Sequence, residues 1–188
     1  MYNNNFGDIR KFFQSLNLVY TPHLLFEKNY YVTKEQKRMI EKKGMQHDFS
    51  ELLCYPKNPI IKRPKLSVKY ISDDIGNGLF AEQDFEIGSF VGEFTGTVTN
   101  SPPIESDGYC CSYKFGTDLV ISPRKYGNEL QFANHSFTKC NVEWDDIIGL
   151  DGYIHIIFVA IKKIMCNDEI LVNYGEKYWS DIRIVPNE

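Results

Sequence analysis

Four short stretches of this 188-residue chain hold side chains whose types and spacing could do chemistry. In chain order they are Gly76-Asn77-Gly78, Gly92-Glu93-Phe94-Thr95-Gly96, Phe132-Ala133-Asn134-His135-Ser136, and Asp168-Glu169-Ile170-Leu171-Val172-Asn173-Tyr174-Gly175. Taken singly, each has a plain structural reading. Gly76-Asn77-Gly78 reads as a glycine turn between strands. The longer G-x-G-x-x-G dinucleotide fingerprint is missing, and no βαβ pattern surrounds it. His135 alone reads as a satisfied core or loop histidine, and Tyr174 alone as an aromatic at a strand end. The five cysteines (Cys54, Cys110, Cys111, Cys140 and Cys166) are odd in number and irregularly spaced, which argues against a disulfide framework. No C-x-x-C pair or Cys/His cluster has zinc-site spacing, so no metal is expected. Reduced thiols of this kind fit a cytoplasmic location. Export to a host cell is not readable from the sequence.

Two regions of different character must position these residues. In the first, Asp8 can cap a helix whose apolar residues Ile9, Phe12, Phe13 and Leu16 recur at helical spacing, with Pro22 marking its end. Thr33 and Gln36 have capping-box spacing, and Gly44 can close a second helix. Pro56, Pro59 and Pro64 then punctuate a basic stretch. The charge balance changes at the same place: residues 1–65 carry 12 Lys/Arg against 6 Asp/Glu, and residues 66–188 carry 9 against 19. The second region is β in pattern. Leu66, Val68 and Tyr70 alternate with polar residues, and Phe90, Phe94 and Val98 share a face of the next strand. Asn100 to Gly108 is a loop by composition. Short apolar runs follow at 119–121, 153–161 and 170–172. This pattern predicts a mostly-β domain with a few helices. The longest apolar run, Tyr153 to Ile161, contains His155 and is too short to span a bilayer, so no membrane association is expected. The first residues lack the pattern of a secretory signal. The acidic region would attract a basic partner and repel nucleic acid.

Together and in this order, the four stretches resemble the SET domain of protein-lysine methyltransferases, which shows G-x-G, Y-x-G, N-H-S and a Glu-rich segment ending in a catalytic tyrosine. The resemblance runs from Leu66 to Trp179. Tyr109 to Phe115, Arg124 to Asn128 and the FANHS run resemble the Enhancer-of-zeste branch. The small size and basic lead-in are similar to short SET proteins of intracellular bacteria, including the chlamydial type. The resemblance implies small curved sheets around a C-terminal pseudoknot, with a helical, basic N-terminal extension over 1–64, the SET domain over 65–180 and a tail over 181–188. It implies S-adenosyl-L-methionine as methyl donor and Tyr174 as the catalytic residue. Gly76, Asn77, Gly78, Tyr113, Asn134 and His135 would bind the cofactor. Trp179 would either stack on adenine or anchor the C-terminal core. Phe94, Tyr109, Phe115 and Trp144 are candidates for the channel that admits the substrate lysine, and for Tyr109 and Trp144 a core role stands equally.

Two departures from the family pattern matter. Phe94 stands where the family usually has a tyrosine whose hydroxyl hydrogen-bonds the amine and limits methyl number, so its loss predicts a shift toward di- or trimethylation. The Asn-His-Ser loop is one residue longer if Asn141 is the equivalent asparagine. The implied partner is a lysine-rich protein such as a histone or histone-like protein. The N-terminal region offers a surface for a homodimer. The competing reading is a catalytically weak, SET-derived module that binds peptide or cofactor.

Overall fold

The computed structural model describes residues 6–27, 33–34, 38, 63–100, 110–113, 119–176 and 178–179. Their elements are α1 (Phe6–Ser15), β1 (Val19–Tyr20), β2 (Leu25–Phe26), β3 (Leu66–Ser72), β4 (Gly76–Ala81), β5 (Phe90–Glu93), β6 (Thr97–Thr99), β7 (Cys111–Ser112), β8 (Val120–Ser122), β9 (Tyr126–Gly127), a 3-10 turn (Glu129–Phe132), β10 (Asn134–His135), β11 (Val142–Ile148), β12 (Ile154–Ala160) and β13 (Leu171–Val172). The architecture is mostly strand with little helix among the described residues, as the sequence pattern predicts. Most of the second helix expected after Thr33, the loop at 101–109 and the tail at 181–188 lie outside the described residues.

Helix α1 begins at Phe6, so Asp8 lies in its first turn rather than at its cap. It also ends earlier than Pro22. Asn17 takes a left-handed conformation (φ 58°), and the N–H groups of Asn17 and Leu18 return to the carbonyls of Gln14 and Phe13 at 3.0 and 2.8 Å. This is a Schellman closure, which satisfies carbonyls that the helix end would otherwise leave open. The helix buries Phe12 and Phe13, which meet Phe132 edge-on at 5.6 and 5.8 Å between ring centroids. Strand β1 then pairs parallel with β9, and β2 with β6. Residues 6–27 are therefore woven into the same core as the β region. Helical periodicity reports an apolar face but not what that face covers.

The strands form two main sheets and a hairpin. One sheet has the order β10-β13-β11-β12-β5, the other β2-β6-β8-β7, and β3 pairs with β4. Strand β12 is buried along its whole length between β11 and β5. This explains its near-continuous apolar sequence, since a strand covered on both faces has no polar side. The alternation from Phe90 to Val98 predicts one strand, but the structure divides it. Strand β5 joins the first sheet and β6 the second. Between them Thr95 is fully buried and its hydroxyl donates to the Thr21 carbonyl at 2.7 Å. Phe94 thus sits at the corner where the chain changes sheets.

The feature that most constrains the site is the position of β13. It pairs parallel with β10 on one edge and with β11 on the other, so Val172 lies between His135 and Val142. Since β10 and β11 are joined directly by residues 136–141, the later strand passes beneath that connection. This is the threaded arrangement that the family resemblance implies, and such threading is rare in proteins generally. Asn141 locks it. Its side-chain N–H donates to the Glu169 carbonyl at 2.8 Å, and its side-chain oxygen accepts the Leu171 N–H at 2.9 Å. The loop before it is closed where the Lys139 N–H donates to the Ser136 hydroxyl at 2.9 Å. Asn141→Ala removes two hydrogen bonds to the inserted strand and is expected to cost about 2 kcal/mol. Thermal unfolding should show a midpoint lower by roughly 4–8 °C for a chain of this size; an unchanged midpoint would count against the clamp.

Candidate active site

Strand β4 brings the first motif against the fourth. The Ile170 N–H donates to the Leu79 carbonyl at 2.7 Å, the Ala81 N–H to the Asp168 carbonyl at 2.9 Å, and Phe80 bridges to Glu169. Strand β10 brings the third motif to the same place by pairing with β13. Asn134 joins all three, since its side-chain amide donates to the Glu169 carboxylate at 2.9 Å and to the Asn77 carbonyl at 3.3 Å. Gly78 makes this junction possible. A Cβ there would lie 2.5 Å from the Ile71 side chain, 2.9 Å from Glu169 Oε1 and 3.2 Å from Asn134 Nδ2. The glycine is thus required by the protein's own polar contact, where the sequence reading assigns it to close approach of a cofactor. Gly76 differs: its φ of 80° favours glycine, and nothing lies within 4 Å of where a Cβ would be.

His135 and Tyr174 meet through the β10–β13 pairing. The Tyr174 backbone N–H donates to His135 Nδ1 at 3.1 Å. Because Nδ1 accepts, the neutral ring carries its hydrogen on Nε2. The Tyr174 hydroxyl donates to the Ala133 carbonyl at 2.7 Å. Its single proton is committed there, so toward any further partner the oxygen can act only as an acceptor. After Tyr174 the chain turns at Gly175 (φ 86°), whose N–H donates to the Asn173 side chain at 2.8 Å. The turn returns Tyr178 and Trp179 onto the same ring: Tyr178 is edge-on to Tyr174 at 4.7 Å, and Trp179 is stacked with it at 6.1 Å and 17°. Trp179 also meets His135 edge-on at 4.8 Å.

Two of the expected channel residues come together. Phe94, only 4 % exposed, is edge-on to Trp144 at 5.4 Å, and Trp144 is edge-on to Phe158 at 4.6 Å. The Trp144 indole N–H donates to the Asn173 carbonyl at 3.1 Å, next to Tyr174. Tyr113 is placed in the core, with no exposed surface; its hydroxyl donates to the Ile154 carbonyl at 2.7 Å and its ring faces Phe26. Tyr109 and Phe115 lie outside the described residues. Sequence reasoning gave no role to Ala133, Glu169 or Tyr178. Tyr178 carried no usable signal, because its contact with Tyr174 comes from the turn at Gly175, after which the helical residues begin. Ala133 acts through its carbonyl, which no side-chain pattern reveals.

On the opposite face of the sheet from Phe94 lies a buried charged group. His155 Nδ1 is 2.6 Å from Glu93 Oε1 and its Nε2 is 3.0 Å from Asp151 Oδ1. Burial pulls the imidazole pKa down, but the hydrogen bonds it donates to Asp151 and Glu93 and their negative charges outweigh it and raise the pKa to about 9. His155 is therefore an imidazolium at neutral pH. Burial opposes ionisation of Asp151, but the hydrogen bond to His155 and a backbone N–H bond hold its pKa below the usual range. Glu93 ends β5 and directly precedes Phe94, so this pair fixes the strand end from which Phe94 follows.

The group that the family resemblance implies has an adenine ring and a sulfonium charge, and the residues present fit it. The rings of Tyr174, Tyr178, Trp179 and His135 form one aromatic cluster. Aromatic faces, and carbonyls such as that of Ala133, attract a cation. Trp179 Nε1 is buried and has no hydrogen-bond partner among the described residues, which leaves a donor for a ring nitrogen. Gly76 borders open space. Among the described residues no group of His, Cys, Asp and Glu could hold a metal ion.

A family model described as SET domain matches residues 76–175. The chain is similar to a SET domain-containing protein of Phaeosphaeria nodorum, at 33% identity over 125 residues that make up 64% of this chain and 19% of that protein. It is also similar to human histone-lysine N-methyltransferase 2B, at 27% identity over 108 residues, 53% of this chain and 4% of that one. The chain thus spans under a fifth of the length of these curated relatives. Among solved structures, the ATXR5 SET domain in complex with histone H3 di-methylated on R26 superposes with a TM-score of 0.65 at 18% identity, covering 90% of this chain and 86% of that one. This last likeness establishes the fold.

Proposed function

Because the chain belongs to the SET domain family, we propose that it transfers methyl groups from S-adenosyl-L-methionine to lysine side chains of a basic protein. The observation that carries the reading is the Tyr174 hydroxyl, whose proton is committed to Ala133 while its ring lies among His135, Tyr178 and Trp179. The cofactor supplies a methyl group made electrophilic by the sulfonium. With the cofactor bound, Tyr174 would offer its oxygen lone pairs to the polarised methyl and the incoming amine, and would help hold the two in line. Ordering of this kind can supply several kcal/mol, up to roughly 7–11 kcal/mol in well-oriented reactions. Phe94 and Trp144 form an apolar wall beside it. Excluding water there favours the neutral amine, the form that can attack.

An acidic catalytic region suits a lysine-rich partner, and a curated relative is named a histone-lysine methyltransferase. The substrate proposed is accordingly a histone or a histone-like protein, met in the cytoplasm or after export. Phe94 lacks the hydroxyl that would limit methyl number, so the proposed products extend to di- and trimethyl-lysine. Transfer of radiolabelled methyl onto histone and bacterial nucleoid proteins tests the activity, and mass spectrometry of a lysine peptide tests the multiplicity. Label on lysine, lost in Tyr174→Phe, is the expected result. Absence of label with cofactor binding intact would assign a binding module instead, and only monomethyl product at long times would refute the multiplicity.

A further inference from the structure

Tyr174 is held at three points, and one of them comes from outside the four motifs. His135 accepts its backbone N–H at 3.1 Å, and Ala133 accepts its hydroxyl at 2.7 Å. The third is the Trp144 indole N–H, which donates to the Asn173 carbonyl at 3.1 Å. That carbonyl and the Tyr174 N–H belong to one peptide unit, which is planar and rigid. His135 and Trp144 therefore grip the two ends of a single plane. Fixing both ends sets the rotations on either side of it, and those rotations aim the Tyr174 side chain.

Trp144 is itself a stiff donor. It sits on β11 directly opposite Phe158, with its ring edge-on to Phe158 at 4.6 Å and to Phe94 at 5.4 Å. Asn173 is exposed, so water could satisfy its carbonyl if satisfaction were all that was needed. A rigid indole adds direction, which water does not. We infer that Trp144 is a positioning residue: it locks the 173–174 peptide plane with His135 and so couples the wall it shares with Phe94 to the aim of Tyr174. The inference rests on the reading in which Tyr174 faces the lysine amine.

Trp144→Phe keeps an aromatic ring but removes the donor together with part of the ring, so exchange along β11 and β12 is the readout that separates aim from packing. In the full chain, hydrogen exchange at the Tyr174 and Gly175 amides should quicken about tenfold, as expected for loss of one hydrogen bond. Exchange along β12 should be unchanged, and the unfolding midpoint should fall by only about 2–4 °C, as expected for loss of one hydrogen bond. The kcat for methyl transfer should fall by about tenfold or more, with the peptide KM within roughly twofold, because misplacing a reacting group costs rate rather than binding. Unchanged exchange at Tyr174 and Gly175 would overturn the inference whatever the activity. So would faster exchange with unchanged kcat, or a larger fall in midpoint with uniformly faster exchange along β11 and β12, which marks packing alone. If wild type methylates nothing, the parent reading fails, and the exchange measurement still decides whether Trp144 holds the plane.

Discussion

Tyr174→Phe is expected to lower kcat for methyl transfer by roughly 100- to 1000-fold, the range seen when one oriented polar group at a reacting centre is removed. The ring remains, so its contacts with His135, Tyr178 and Trp179 survive, and cofactor affinity should stay within about threefold. The variant also loses the bond from the hydroxyl to the Ala133 carbonyl. That loss should cost only about 1 kcal/mol, too little to unfold the domain. Single-turnover methyl transfer, cofactor titration and thermal unfolding on the same sample distinguish these effects. A fall in rate explained by lost cofactor binding, or a rate within threefold of wild type, would remove Tyr174 from the chemistry. Phe94 sharpens this expectation, because it offers no hydroxyl to share the work.

Folding stability is expected to fall by about 3 kcal/mol as pH rises from 6 to 10, through His155 alone. Folding raises the pKa of this group from 6.5 to about 9, so the folded chain holds the proton more tightly than the unfolded chain. The resulting stabilisation is complete below pH 6.5. It declines as pH rises above that value and is lost as pH passes through about 9. Glu93 is only 2 % exposed, so deprotonation of His155 leaves a buried carboxylate without a cationic partner at 2.6 Å. Denaturant unfolding of wild type and His155→Gln at several pH values checks this. The glutamine variant should be less stable at pH 6, and its curve should lack the decline between pH 7 and 9.5. Parallel curves for the two proteins would show that the imidazolium does not contribute. The methyl-transfer reaction pulls the other way, since a neutral lysine amine is commoner at high pH. Optimal activity should therefore fall where these opposing trends meet.

The sequence by itself determined the family of this chain more than its shape. Motif order and residue type are local properties, so Asn134, His135 and Tyr174 were legible as a set before any coordinates. The mostly-β character was also legible, because alternation along Leu66 to Tyr70 is imposed by the pleat of a single strand. Alternation reports a face but not a partner, which is why Phe90 to Val98 read as one strand although Thr95 anchors to Thr21 and sends β6 into another sheet. For the same reason α1 was visible as a helix while its burial against Phe132 was not. Tertiary structure alone decided that Asn141, despite the longer loop before it, clamps β13 from both sides of Ile170. It alone set the Ala133 carbonyl under the Tyr174 hydroxyl and the Trp144 indole under the Asn173 carbonyl. Both acceptors are backbone atoms that every residue carries, so no residue type marks them. Only the insertion of β13 between β10 and β11 brings them within hydrogen-bonding reach.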